Sequence, residues 1–384
     1  MGISKVGISK SFIFRHLFLI IVILSIGGGF YFYKYVNDVK LNRITDVSEL
    51  VRDKKSKHYI NDLYISDGRN YEYILDDNEK EIYNQLLTAI KKFQKKVTIE
   101  LNDEKYKDFY LSGIILEKIQ EVMIMDHPEL LQFAYFKLEG GNSKERKYQV
   151  TVEYALNKSQ YNTAVKRVKA VLDQAAKATS TMNDYEKAKY VYDWIGKKNT
   201  YSSSQNLATR SAYSALVTGK AINTAYAKAA QLMLQYIKVN SILVSGTYKE
   251  LGYEWNLVKI EGKYYHFDTT VTNRYKRQAG IIYTGFLFKN KPDYVLEYKK
   301  MVPRVNGKKY EYYAYNNFVY KYNKNQGFDD LEKLLNETKS NVVQLKIKNY
   351  SEFYRDASIA KANLKFDAIY FMDEVAIIIK KIKN

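Results

Sequence analysis

The chain has 384 residues, 61 Lys and Arg against 42 Asp and Glu, four His and no Cys. The missing Cys excludes disulfides, a thiolate nucleophile and every zinc site that needs Cys ligands. An apolar fraction of 46% with 38 Tyr and 17 Phe supports a sizeable core, so global disorder is excluded. The formal charge is +19, of which residues 1–36 contribute +4 and the remainder +15. A surface of that sign attracts polyanions through a salt-screened field.

Leu17 to Tyr33 (LFLIIVILSIGGGFYFY) is 17 residues without a charge, at the short end of what crosses a hydrocarbon core. Lys5, Lys10 and Arg15 precede it, and Tyr31, Phe32, Tyr33 and Tyr35 mark the far edge. The positive-inside rule keeps the N-terminus in the cytoplasm and exports the rest. The expected layout is a cytoplasmic N-terminus (1–16), a transmembrane anchor (17–36) and a polar stalk (37–70). A cleaved signal peptide is the competing reading, although no A-x-A-like site follows the apolar core. An external location disfavours nucleic acid as a partner. It leaves an envelope protein, a peptide or glycan ligand, an anionic wall polymer or lipid headgroups.

From residue 71 to 180 the pattern predicts an α+β region. Asp76 and Glu79 form a capping-box pair before a helical stripe of Ile82, Leu86, Ile90 and Phe93. Val97 and Ile99 alternate as a strand. A second helix over Phe109–Met125 stops at Asp126-His127-Pro128. Tyr148 to Tyr154 alternate as a strand, and Tyr161 to Ala175 form a third helix. In 181–304, Asn183 and Glu186 cap a helix, and Gly219-Lys220-Ala221 is a turn. A helix follows from Ala225 to Tyr236. Strands are expected at 241–246, 253–260, 264–270 and 281–288, the second and third joined by Glu261-Gly262. The region 305–384 reads as a small α/β appendage. Its order is Tyr-rich strands over 310–322, a helix over 329–339, a strand over 342–348, a helix over 352–363 and a final strand over 375–382.

SAYSALVTGKAINTAYAKAAQLML (211–234) and GYEWNLVKIEGKYYHFDTTVTN (252–273) resemble the transglutaminase-like superfamily. Ser211, Ala212, Tyr213, Gly219, Tyr226, Ala227, Trp255, Asn256, Tyr264, Tyr265, Asp268 and Thr269 fall in register with its bacterial pattern. Asp126-His127-Pro128-Glu129 resembles a turn of the N-terminal region found in exported relatives. The resemblance implies an α+β, papain-like core: a helix headed by a catalytic Cys, packed on an antiparallel sheet that supplies His and Asp. It spans roughly residues 70–290.

On that frame the family's Cys falls on Asn223 and its His on Tyr253; Asp268 alone is kept. An Asn amide cannot form an acyl-enzyme. A Tyr phenol, with a reference pKa of about 10, is a poor base at neutral pH. No catalytic residue is therefore expected at the degenerate triad of Asn223, Tyr253 and Asp268. Asn223 is expected to serve as the helix N-cap. Tyr226, Trp255, Asn256, Tyr265 and His266 are candidate walls of a ligand groove. The alternatives are a relocated nucleophile, Thr224 or a serine of Ser202–Ser204 with His266 as base, and a polyanion-binding wall protein. No P-loop, Rossmann fingerprint, HExxH or EF-hand pattern is present, so no cofactor and no metal are expected.

Overall fold

The computed structural model describes residues 57–60, 63–66, 74–100, 109–142, 144–204, 209–274, 276–289, 291, 293–297, 299, 302–360 and 366–380. The expected cytoplasmic N-terminus, the anchor and most of the stalk lie outside the described residues. Among the described residues, no helix is long and apolar enough to cross a membrane. Two short strands, β1 (Lys57–Ile60) and β2 (Leu63–Ser66), pair antiparallel ahead of the main body.

The N-terminal α+β region follows its hydrophobic periodicity. Helix α1 (Asp77–Lys92) starts on the reciprocal Asp76–Glu79 capping box, which satisfies two otherwise orphaned N–H groups. It buries Ile82, Leu86 and Ile90. Strand β3 (Lys96–Glu100) alternates exposed and buried residues. Helix α2 (Phe109–Asp126) ends at the expected turn before Pro128. Strands β4 (Phe133–Asn142) and β5 (Lys147–Tyr154) complete an antiparallel sheet of order β3-β5-β4. Helix α3 (Lys158–Ala178) follows, with its own capping box at Asn157 and Gln160.

Helix α4 (Asp184–Lys198) begins on the predicted Asn183–Glu186 box. Strands β6 (Thr200–Tyr201) and β7 (Lys220–Ala221) pair parallel and bring the chain back to α4. Helix α5 (Asn223–Tyr236) then packs on an antiparallel sheet of order β10-β9-β8-β11. Its strands are β8 (Ser241–Tyr248), β9 (Leu251–Ile260), β10 (Lys263–Phe267) and β11 (Tyr294–Leu296). α5 buries every residue from Ala225 to Gln235, because the sheet lies under one side while α3, α4 and the turns flanking them pack on the others. Its alanines permit that close approach. After β10 come a 3₁₀ turn (Thr269–Asn273) and a short helix α6 (Lys276–Ala279).

The expected strand over 281–288 does not form. The segment turns, and its single ladder contact is the His266–Phe288 bridge. Leu287 sits at φ +45°, a left-handed conformation that a strand cannot accommodate. The expected Tyr-rich strands over 310–322 also give way. Tyr312–Tyr315 is a one-turn helix, α7, and only Val319–Lys321 is a strand, β12. Tyr312 and Tyr313 pack inward in succession instead of alternating, Tyr312 stacked on Tyr283 at 4.0 Å and Tyr313 buried, while Tyr315 stays exposed.

The C-terminal unit contains α8 (Asp329–Glu337), β13 (Val342–Lys348), α9 (Tyr350–Ala360), β14 (Phe366–Met372) and β15 (Val375–Lys380). Its sheet order is β12-β13-β15-β14, with β12 parallel to β13 and the other pairs antiparallel. One face packs Val343, Leu345, Ala376 and Ile378 on Leu331 and Phe353 of the helices. The other face packs Met372, Val375 and Ile377 on Val271, Ala279 and Ile282 of the preceding domain. Both faces are therefore covered, which explains the unbroken apolar run at 375–379. Strand β14 had no expectation from sequence.

Candidate functional site

The site is assembled where α5 meets β9 and the end of β10. Before α5 the chain makes a π-helical turn, Ser214–Thr218, closed by Gly219 at φ +79°. A side chain there would stand 3.0 Å from the Lys198 carbonyl, so glycine is needed for conformation and for space. Ile222, in extended conformation and without a side-chain cap, is the N-cap; Asn223 is the first helical residue. This corrects the expectation that Asn223 caps the helix. Its amide is drawn away from the backbone: Nδ2 donates to Glu254 Oε2 at 2.7 Å. Thr224 Oγ1 donates to the same oxygen at 2.9 Å.

Strand alternation sorts β9 into two faces. Glu254, Asn256 and Val258 point toward α5. Asn256 Nδ2 donates to the Ala227 carbonyl at 3.1 Å and to Gln231 Oε1 at 3.2 Å, pinning helix to sheet. Tyr253, Trp255 and Leu257 point the other way, into the core shared with the N-terminal region. There Tyr253 OH donates to Asp268 Oδ2 at 3.1 Å, and Tyr294 OH donates to the same atom at 2.8 Å. The Thr270 N–H donates to Asp268 Oδ1 at 2.9 Å. Two of the expected triad positions, Tyr253 and Asp268, are thus in contact. The third, Asn223, engages the residue next to Tyr253 on the opposite face of the strand.

Burial decides the electrostatics. Desolvation raises the Asp268 carboxyl above its ordinary range, and the three donors offset this only in part. Burial, reinforced by the Asp268 charge, pushes both the Tyr253 and the Tyr294 phenols well up. Neither phenol can then serve as a base at neutral pH. Desolvation also raises Glu254, with the Thr224 hydroxyl acting against it. Lys228 stands one turn after Thr224. Burial lowers its ammonium to about 8, while the charges of Glu254 and Glu129 oppose the shift. Glu129 belongs to the expected Asp126-His127-Pro128-Glu129 turn, where His127 Nδ1 and Glu129 Oε1 lie 2.7 Å apart in the interior.

The candidate groove residues are placed differently from expectation. Tyr226, Trp255, Asn256, Tyr265 and His266 are all at most 1% exposed, so they are interior packing and not the walls of an open groove. Trp255 Nε1 donates to His266 Nδ1 at 2.9 Å, and the His266 ring stacks on Phe288 at 5.1 Å. His266 pairs with Leu257 in the ladder, on the face away from Thr224, so the expected Thr224–His266 pairing is not made. Thr224 finds Glu254 instead. The Ser202 hydroxyl bonds within its own loop, to the Ser204 backbone. Glu254, Lys228 and Tyr294 were missed as site residues. A Glu inside an aromatic strand and a Lys inside an alanine-rich helix were the available signals for the first two. Nothing in the sequence places Tyr294 beside Asp268. Among the described residues, no cluster of His, Asp and Glu is arranged to hold a metal ion.

Residues 173–269 match the model of the transglutaminase-like superfamily. This segment is a transglutaminase-like domain. The matched segment takes in α4, α5 and the β8–β10 hairpins, and with them Asn223, Tyr253 and Asp268. No curated protein sequence matches the chain. Among solved structures, the chain is similar to a proposed cysteine protease from Cytophaga hutchinsonii, at 13% identity and a TM-score of 0.24, covering 36% of this chain and 62% of that one. It is similar to a protein titled a TGase, at 12% identity and a TM-score of 0.26, covering 45% and 50%. A third is a proposed protease from Parabacteroides distasonis, at 14% identity and a TM-score of 0.22, covering 34% and 35%. The chain thus spans less than two thirds of each of these proteins, and at such scores they carry no weight for the chemistry of this transglutaminase-like domain.

Proposed function

We propose that this chain is a transglutaminase-like pseudoenzyme, held in the membrane by residues 17–36 and exposed outside the cell. There it acts as a binding or scaffolding protein of the envelope. One observation carries the reading: the positions matched to the nucleophile and the base are each committed to a structural hydrogen bond by a group that does not ionise at neutral pH. Asn223 is bonded to Glu254, and Tyr253 to Asp268. A thiol–imidazole pair would need a nucleophile and a base at those two places. The net charge of +15 outside residues 1–36 favours an anionic wall polymer or lipid surface as one partner, and such binding weakens with salt.

The test is to assay the purified full chain for amine incorporation, amidase and peptidase activity. The expected result is no turnover above background. Turnover abolished by Asp268→Ala would overturn the proposal. A second reading is favoured by one distance, the 2.9 Å from Thr224 Oγ1 to Glu254 Oε2. In it Thr224 is a relocated acyl acceptor, Glu254 takes its proton and Lys228 stabilises developing negative charge. A hydroxyl-directed acylating probe that labels Thr224, with labelling lost in Glu254→Gln, would select that reading.

A further inference from the structure

Away from the triad, the seam between the transglutaminase-like domain and the C-terminal unit encloses a cleft of about 400 Å³. That size falls within the range of small-molecule sites, roughly 300–1,000 Å³. Its floor is aromatic, from Phe286, Phe288 and Tyr312. The charged groups on its walls are unevenly paired. Lys291 is satisfied, donating to Asp373 at 3.1 Å and to the Thr284 carbonyl at 3.0 Å. Lys289 and Lys346 share one carboxylate, Glu311, and each stands 4.0 Å from it, beyond hydrogen-bond reach. That wall carries a surplus positive charge. Asp293 and Glu374 also line the cleft and make no ion pair among the described residues. Thr284 Oγ1 is buried in the lining with no hydrogen-bond partner, and an orphaned buried hydroxyl is costly unless something completes it.

The backbone around the cleft is strained as well. Leu287, Asp373 and Glu374 all line it and have φ of +45°, +50° and +64°. Asp373 and Glu374 form the whole two-residue turn between β14 and β15, a position where Asn-Gly is the favoured pair. Strain of this kind persists where surrounding contacts over-determine it, and it gathers at ligand clamps.

We propose that this cleft binds a small zwitterion, a free amino acid or a short peptide. Its carboxylate lies between Lys289 and Lys346, its ammonium faces Asp293 and Glu374, and its apolar part rests on the aromatic floor. The site is independent of the fate of the triad, since it shares no residue with Asn223, Tyr253 or Asp268.

Isothermal titration of the full chain at low ionic strength tests it with leucine and with alanyl-alanine as probes. N-acetyl-leucine, which lacks the ammonium, and leucinamide, which lacks the carboxylate, are the controls. The expected result is saturable binding of at least one zwitterion, with each capped form about tenfold weaker or more. Lys346→Gln and Glu374→Gln should each weaken the zwitterion by about tenfold. Ala314→Trp, a substitution at an exposed position that fills the cleft, should abolish binding while leaving the circular dichroism spectrum unchanged. A preference between leucine and alanyl-alanine would separate the two sources. No binding of either zwitterion, a capped form binding as tightly, or wild-type affinity in Ala314→Trp would each overturn the proposal.

Discussion

Tyr294→Phe isolates the hydrogen bond that holds Asp268. The phenol donates to Oδ2 at 2.8 Å from a residue that is 8% exposed. Phe retains the ring contacts with Tyr248 at 4.8 Å, Phe288 at 4.9 Å and Trp255 at 5.4 Å, so packing is preserved and one donor is lost. A hydrogen bond to a charged group contributes about 1.5–3 kcal/mol. Asp268 keeps two further donors, Tyr253 and the Thr270 N–H, which places the expected loss in the lower half, about 1.5–2 kcal/mol at neutral pH. The loss should depend on pH. Burial already raises the Asp268 carboxyl. A carboxyl with a raised folded pKa contributes stability that is present at low pH and is lost as pH rises through the folded value. Removing a donor to the charged form raises that value further, so the variant's loss begins at the same unfolded-state value, continues to higher pH and is larger in total. The penalty should therefore be largest near neutral pH and shrink toward about pH 4, near the reference carboxylate range. Urea unfolding of wild type and variant, followed by tyrosine and tryptophan fluorescence across that range, measures it. A penalty below about 0.5 kcal/mol, the ordinary size of a surface substitution, or one independent of pH, would refute the reasoning.

Glu254→Gln should stabilise the fold near neutral pH. It removes a carboxyl that burial has raised, while its carbonyl oxygen still accepts from Asn223 and Thr224. By the same sign the gain should vanish in acid, and unfolding midpoints at the two pH values check it. Gly285→Ala should destabilise the site by roughly 2 kcal/mol or more. Its Cβ would stand 2.3 Å from the Asp268 carbonyl, and the loss is read as a lower denaturant midpoint. Asn223→Cys alone should show no amine incorporation, because Tyr253 lies on the opposite face of β9, bonded to Asp268, and supplies no base. Activity in the single variant would disprove that Tyr253 is a block.

Local chemistry made much of the fold legible. The capping boxes at Asp76 and Asn183 start their helices by bonds between residues three apart, which sequence spacing alone specifies. The Glu261-Gly262 turn, with φ of +45° and +78°, is equally local. The absence of Cys and the identities of Asn223, Tyr253 and Asp268 needed no structure, and register with the superfamily pattern placed them on α5, β9 and the end of β10.

Tertiary structure alone decided what those side chains touch. Strand alternation put Glu254 on the α5 face, so that Asn223 became its hydrogen-bond donor and not a helix cap. The same alternation put His266 on the far face, where Trp255 takes its Nδ1 and no partnership with Thr224 forms. The segment 281–288 and Tyr312 and Tyr313 have strand composition, yet they turn to close the domain seam and line the charged cleft. Asp268 stays in place because Tyr294, 26 residues away in sequence, comes to donate to it. Contacts of that separation are set by how faces pack, and no local pattern encodes them.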